Sequence, residues 1–161
     1  TEHFFVLLNR RVFQKKKFKM NNGNYKFFVY GSLRSGFRNP VYEYLTKYFH
    51  LLGEAVVKGK LYDLGEFPAA AATTEEKFIS GELYCINNPL EFSWAIGQLD
   101  DYEGLNTEEG ETPLYRREEI IAYKDGEAHT AWIYWYNKDL TGNPEIESGD
   151  LIQYLQQKNK P

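Results

Sequence analysis

The step Lys124-Asp125-Gly126-Glu127 separates two runs, Tyr115 to Tyr123 and Ala128 to Tyr136, both rich in β-branched and aromatic residues. An Asp-Gly pair supplies the positive φ angles that a two-residue hairpin turn needs, so the runs are predicted to be adjacent antiparallel strands. Side chains alternate across a strand, which puts Trp132, Tyr134 and Tyr136 on one face of the second run and Ala131, Ile133 and Trp135 on the other. Neither face is polar. Both are therefore expected to be covered, as in a mixed α/β (α+β) architecture in which a barrel-like β-sheet is surrounded by short helices. The chain has 161 residues and includes 13 Tyr, 11 Phe and 3 Trp, enough apolar area for one core.

The remaining elements follow from local pattern. Tyr25 to Tyr30 reads as a buried strand that Gly31 ends, and residues 31–39 read as a loop leaving the strand end. Asn39-Pro40 is a helix start, and Val41, Tyr44, Leu45, Tyr48 and Phe49 recur at the spacing of a one-sided helical stripe. Leu52 to Val57, Gly59 to Tyr62 and Phe78 to Ile86 read as extended segments, with a turn from Gly65 to Pro68. Asn88-Pro89 starts a second helix with Leu90 and Trp94 on a common face, leading into Leu99-Asp100-Asp101-Tyr102-Glu103-Gly104. An acidic, exposed loop follows from Leu105 to Pro113, and a last helix is predicted from about Ser148 to Gln157, docking Leu151, Ile152 and Leu155.

Charge and composition exclude several classes of function. Residues 1–20 carry six basic groups and one acidic, a net +5, which leaves 13 basic and 22 acidic groups, or −9, for residues 21–161. An acidic body repels a phosphate backbone, so no nucleic-acid partner is expected. The basic segment with the turn-rich Asn21-Asn22-Gly23-Asn24 joint reads as an N-terminal extension and linker over residues 1–24, before a domain over 25–161. Its mixed apolar and cationic residues also suit an interaction segment. One cysteine, Cys85, and three scattered histidines form no disulfide framework and no metal-ligand spacing, so neither a metal nor another cofactor is expected. No apolar run reaches the roughly 18 to 20 residues that cross a bilayer, and a cytoplasmic protein without a membrane span is expected. A homodimer is one assembly the chain allows.

Two places invite chemistry. In Tyr30-Gly31-Ser32-Leu33-Arg34 a glycine directly follows a hydrophobic strand, where consecutive N–H groups form either an ordinary strand-ending turn or an anion-binding nest. The segment has neither the Gly-Lys-Ser/Thr ending of a phosphate loop nor a dinucleotide glycine pattern. Ser32 has no His-Asp partners that would make it a nucleophile, and Cys85 reads as core. Glu103, at the end of a predicted helix, is either surface charge or a proton carrier that burial would tune towards neutral pH. Asp100 and Asp101 beside it could cap, pair or share that task. Arg116 and Arg117 point to opposite strand faces, so at most one of them faces a pocket, and Arg34 faces either a pocket or solvent.

Taken in order, these segments resemble the γ-glutamylcyclotransferase-like superfamily, especially its AIG2-like and γ-glutamylamine cyclotransferase-like branch. The family's Tyr-Gly-Ser/Thr-Leu is similar to Tyr30-Gly31-Ser32-Leu33, and its Gly-x-Leu-Tyr-Asp-x-Gly and following Pro to Gly59 through Gly65 and Pro68. Gly81-Glu82-Leu83-Tyr84 matches a further element. The family's Leu-Asp-x-x-Glu-Gly looks like Leu99, Asp100, Glu103 and Gly104, and its Tyr-x-Arg like Tyr115 and Arg117. The resemblance covers about residues 27 to 137 and leaves the basic extension outside.

The resemblance implies a cavity near the first motif, with Glu103 as catalytic residue. Tyr30, Gly31, Ser32, Leu33, Arg34, Tyr115 and Tyr136 would be substrate-binding. It also implies intramolecular aminolysis of a small γ-glutamyl amine or peptide, releasing 5-oxoproline and an amine, a transferase or lyase reaction without a cofactor. The N–H groups near Gly31 would hold either the substrate α-carboxylate or the developing oxyanion. The alternatives are a noncatalytic small-molecule binding domain that keeps the pocket, and an interaction module built on the basic extension.

Overall fold

A computed structural model describes residues 23–31, 40–105 and 107–159. Among the described residues seven strands are formed: β1 Lys26–Val29, β2 Phe49–Lys58, β3 Lys60–Asp63, β4 Pro68–Ala71, β5 Phe78–Ile86, β6 Tyr115–Lys124 and β7 Glu127–Tyr136. Three α-helices accompany them: α1 Pro40–Tyr48, α2 Phe92–Tyr102 and α3 Leu151–Lys158. Strands β1, β5, β2, β6 and β7 close in that order into a barrel, and β3 pairs with β4 as a separate two-stranded sheet. The barrel ladders are antiparallel, except that β1 meets β7 in parallel at Phe27 and Trp132, which closes the ring.

The hairpin forms in the expected register, with Tyr115 opposite Tyr136 and Lys124 opposite Glu127. Asp125 and Gly126 take φ of 50° and 78°, the left-handed pair such a turn requires. Both faces of β7 are covered, as its composition demands. Ala131, Ile133 and Trp135 join Phe28, Val57, Ile79 and Leu151 in one apolar cluster. On the opposite face Tyr134 joins Phe27, Val29, Leu45 and Leu99, with Trp132 and Tyr136 partly buried beside them. Gly81 is needed where β1 crosses β5, because a Cβ there would collide with the Val29 carbonyl and the Phe28 ring.

Three local expectations change. The stripe ending in Phe49 breaks at Tyr48, and Phe49 opens β2 as a buried strand residue. Pro68, read as the end of a turn, instead opens the strand Pro68–Ala71, whose pairing with β3 overrides the low strand preference of alanine. Asn88 caps a short 3-10 turn, Pro89–Glu91, before α2 begins, so Leu90 and Trp94 are exposed and Phe92, Ala95, Ile96 and Leu99 form the buried stripe. The final helix starts at Leu151 with the Asp150 side chain accepting from the Ile152 and Gln153 N–H groups. Leu151 is buried there and Tyr154 and Leu155 pack against the core, while Ile152 is only half-buried. Residues 1–22, and so nearly all of the basic extension, lie outside the described residues.

Candidate active site

Beyond the end of β1, Tyr30 and Gly31 run into a hollow of about 320 Å3. Gly31, Phe67 and Pro68 line one part of it, and Tyr102, Glu103 and Tyr115 another. Three segments far apart in sequence therefore converge: the chain leaving β1, the entry to β4, and the end of α2 beside β6.

The end of α2 fixes Glu103 through its backbone. Glu103 is the C-cap, with its N–H donating to the Leu99 carbonyl at 2.9 Å. Gly104 follows at φ 74° and donates to the Asp101 carbonyl, while the Leu105 N–H reaches back to the Asp100 carbonyl at 3.0 Å. These paired bonds are a Schellman closure, and the left-handed residue in it is why a glycine follows the glutamate. Leu105 packs against the core and anchors the reversal.

Among the described residues the Glu103 carboxyl has no hydrogen-bond or ion-pair partner, and burial alone pushes its pKa from 4.5 up to about 7. Three tyrosines, Tyr30, Tyr115 and Tyr134, are close enough for the Glu103 charge to act on them. Burial is the largest cause raising each of their pKa values, so all three stay protonated at neutral pH. The Tyr30 hydroxyl donates to the Tyr134 carbonyl at 2.6 Å and that of Tyr115 to the Pro68 carbonyl at 3.3 Å. Such a hollow offers one carboxyl that exchanges protons near pH 7, set among aromatic walls.

Asp100, one turn before Glu103, has a different environment. Its carboxylate accepts two bonds from Arg117, at 2.8 and 3.1 Å, and one from the Tyr134 hydroxyl at 2.7 Å. It pairs rather than facing the hollow unpartnered. Arg117 lies on the same strand face as Tyr115, while Arg116 turns away to Glu118 and Asn137.

Of the residues singled out from sequence, Tyr30, Gly31, Glu103 and Tyr115 line the hollow together. Tyr136 stands behind Tyr115, ring against ring at 5.5 Å, and borders a neighbouring surface hollow with Tyr62 and Lys138. Ser32, Leu33 and Arg34 lie outside the described residues. Phe67, Tyr102, Leu114 and Tyr134 also line the hollow and were not anticipated. Tyr134 was within reach of the period-two alternation that brought out Tyr136; Phe67 carries no comparable signal. Cys85 is half-buried, and burial raises its thiol pKa.

The family model for γ-glutamyl cyclotransferase, AIG2-like, matches residues 27–153. The chain belongs to this family. The match takes in most of β1, the hollow and Glu103, and it extends past the stretch recognised by motif to the start of α3. The chain is 34% identical over 128 residues to the γ-glutamylcyclotransferase family protein YtfP of Escherichia coli K12, covering 79% of this chain and 96% of YtfP. The solution structure of Escherichia coli ytfP superposes with a TM-score of 0.56 at 28% identity, covering 80% of this chain and 97% of that one. YkqA from Bacillus subtilis gives a TM-score of 0.62 at 26% identity over 85% of this chain, which spans only 43% of YkqA. An aig2-like protein from Mus musculus shares the fold, with a TM-score of 0.59 at 21% identity over 78% of this chain and 87% of that one. The expected barrel-like α+β fold and the expected family are both found. Among the described residues no helix is long and apolar enough to cross a membrane.

Proposed function

We propose that the protein is a γ-glutamyl cyclotransferase that converts a small γ-glutamyl amine or peptide into 5-oxoproline and a free amine. The observation that carries the reading is the unpartnered Glu103 carboxyl in the hollow beside Gly31, with a proton affinity near neutrality. A substrate whose α-amine and γ-amide belong to one molecule needs little more than folding and proton management. Glu103 takes a proton from the substrate's α-ammonium, and the freed nitrogen attacks the γ-carbonyl carbon to close a five-membered ring. The tetrahedral intermediate then collapses, the bond from that carbon to the departing nitrogen breaks, and the proton on Glu103 passes to the departing amine. The ring nitrogen gives up its second proton, which the departing amine takes up as it becomes an ammonium; 5-oxoproline leaves as its carboxylate, the two product charges sum to zero, and Glu103 is again a carboxylate.

In this reading the backbone after Tyr30, through Gly31, Ser32 and Leu33, holds the substrate α-carboxylate or the oxyanion, with Arg34 as the nearby cation. Tyr30 and Tyr115 shape the wall, and Tyr136 supports Tyr115 from behind. The catalytic unit is residues 25–161, and residues 1–24 are an accessory extension. The test is incubation with a panel of γ-glutamyl amines, γ-glutamyl dipeptides and γ-glutamyl-ε-lysine, monitored for 5-oxoproline. Release of 5-oxoproline by the wild type, lost in Glu103→Gln, supports the reading. Saturable binding of the same compounds without 5-oxoproline replaces it with a noncatalytic pocket.

A further inference from the structure

We propose that Asp100 is a positioning residue for Glu103: by holding the Arg117 guanidinium in a closed ion pair, it fixes the helix end that carries Glu103 and keeps that cation off the Glu103 carboxylate. The inference rests on the assignment of Glu103 as the proton carrier.

The geometry is specific. Asp100 and Glu103 are three residues apart on α2, so they leave the same side of the helix end. The Arg117 Nε and Nη2 atoms meet the two Asp100 oxygens at 2.8 and 3.1 Å, a two-pronged contact that fixes orientation as well as distance. Both side chains are largely buried, 21% exposed for Arg117 and 15% for Asp100. The guanidinium lies 4.5 Å from the centre of the Trp132 ring, and the Tyr134 hydroxyl donates to the same Asp100 oxygen that accepts from Nε. The Tyr134 carbonyl in turn accepts from the Tyr30 hydroxyl. One chain of contacts therefore runs from the end of α2 through β7 to the residue before Gly31, joining both sides of the hollow.

Electrostatics give the pair its second task. The described groups within electrostatic reach of Glu103 are Tyr30 after β1, Tyr115 on β6 and Tyr134 on β7, all of them neutral hydroxyls, with Asp101 and Tyr102 beside it on its own helix. The Tyr134 hydroxyl pKa is raised by Asp100, lowered by Arg117 and raised by Glu103, so the hydroxyl stands between the pair and the base. With the pair closed, neither Asp100 nor Arg117 acts on Glu103, whose proton affinity burial alone sets. Opened from either side, it leaves one largely buried charge without its partner and free to turn towards Glu103.

The two single substitutions therefore act in opposite directions. Asp100→Asn leaves Arg117 unbalanced and should lower the Glu103 pKa by about one unit, while Arg117→Met leaves Asp100 unbalanced and should raise it by about one unit. Asp100→Asn combined with Arg117→Met should bring it back to within about 0.3 unit, because a buried pair exchanged for neutral groups is well tolerated. The readouts are the carbon NMR titration of the Glu103 carboxyl and the acid limb of kcat/KM against pH, with kcat in Asp100→Asn expected to fall about tenfold and KM to stay within about twofold. If Asp100→Asn does not fold, Arg117→Met and the double variant still carry the test. Titrations that do not move, or that move the same way in both single variants, overturn the proposal. Wild-type turnover in Glu103→Gln would instead refute the proton-carrier assignment, and the titration of Glu103 separates the two failures.

Discussion

Two carboxylates end two elements of this chain, each followed closely by a glycine, and they have opposite fates. Asp63 closes β3 and accepts from the Tyr154 hydroxyl at 2.6 Å, the Gly65 N–H at 2.7 Å and the Lys158 ammonium at 3.0 Å. The Tyr154 bond, the Gly65 bond and then Lys158 hold its pKa down to about 2. Glu103 closes α2 with no such partner, and burial lifts its pKa to about 7. The difference lies in what the fold brings to each oxygen. Asp63 fastens α3 to the small sheet, so its charge stabilises structure. Glu103 is left without such a partner, which suits the proposed proton carrier and contributes nothing to stability.

The largest test of this contrast is Glu103→Gln, which keeps shape and removes the proposed base: kcat for 5-oxoproline release should fall by a factor on the order of 10^2 or more. A stability comparison sharpens it. Glu103 binds a proton more tightly folded than unfolded, so its burial opposes folding increasingly as pH rises from 4.5 to about 7. Glu103→Gln should therefore stabilise the fold at pH 8 by roughly 2 kcal/mol and by nothing below pH ~4. Asp63 has the reverse sign. Its contribution is complete above the ordinary value of 3.8 and is lost as pH falls through about 2. Asp63→Asn should cost about 1 to 2 kcal/mol at pH 7, seen in urea melts, with little effect on kcat. A smaller effect probes the opposite wall. A Cβ on Gly31 would lie 3.1 Å from the Pro68 ring, so Gly31→Val should narrow the hollow and raise KM roughly tenfold while the variant still folds.

Much of this molecule is legible in the chain. The Asp125-Gly126 turn fixed the hairpin register, and the two apolar faces of β7 called for a covered barrel. Glu103-Gly104 could be placed at a helix end, because a glycine after a C-cap residue has a backbone reason to be there. What the chain hides is contact at long range. Nothing local tells that Asp100 meets Arg117, or that Phe67 and Pro68 face Gly31, since these meetings depend on how the barrel closes. The strand at Pro68–Ala71 escaped notice for a related reason: its sequence is weakly extended and becomes a strand only against β3. Asn88-Pro89 marked the second helix three residues early, because a 3-10 turn over Pro89–Glu91 precedes α2.

The central claim is that a sheltered, unpartnered Glu103 titrates near neutrality, and carbon NMR of the labelled carboxyl across pH 3 to 10 measures this directly. The account predicts one titration assigned to Glu103, absent in Glu103→Gln, with a midpoint at about 7. A midpoint at the ordinary value of 4.5 would contradict it.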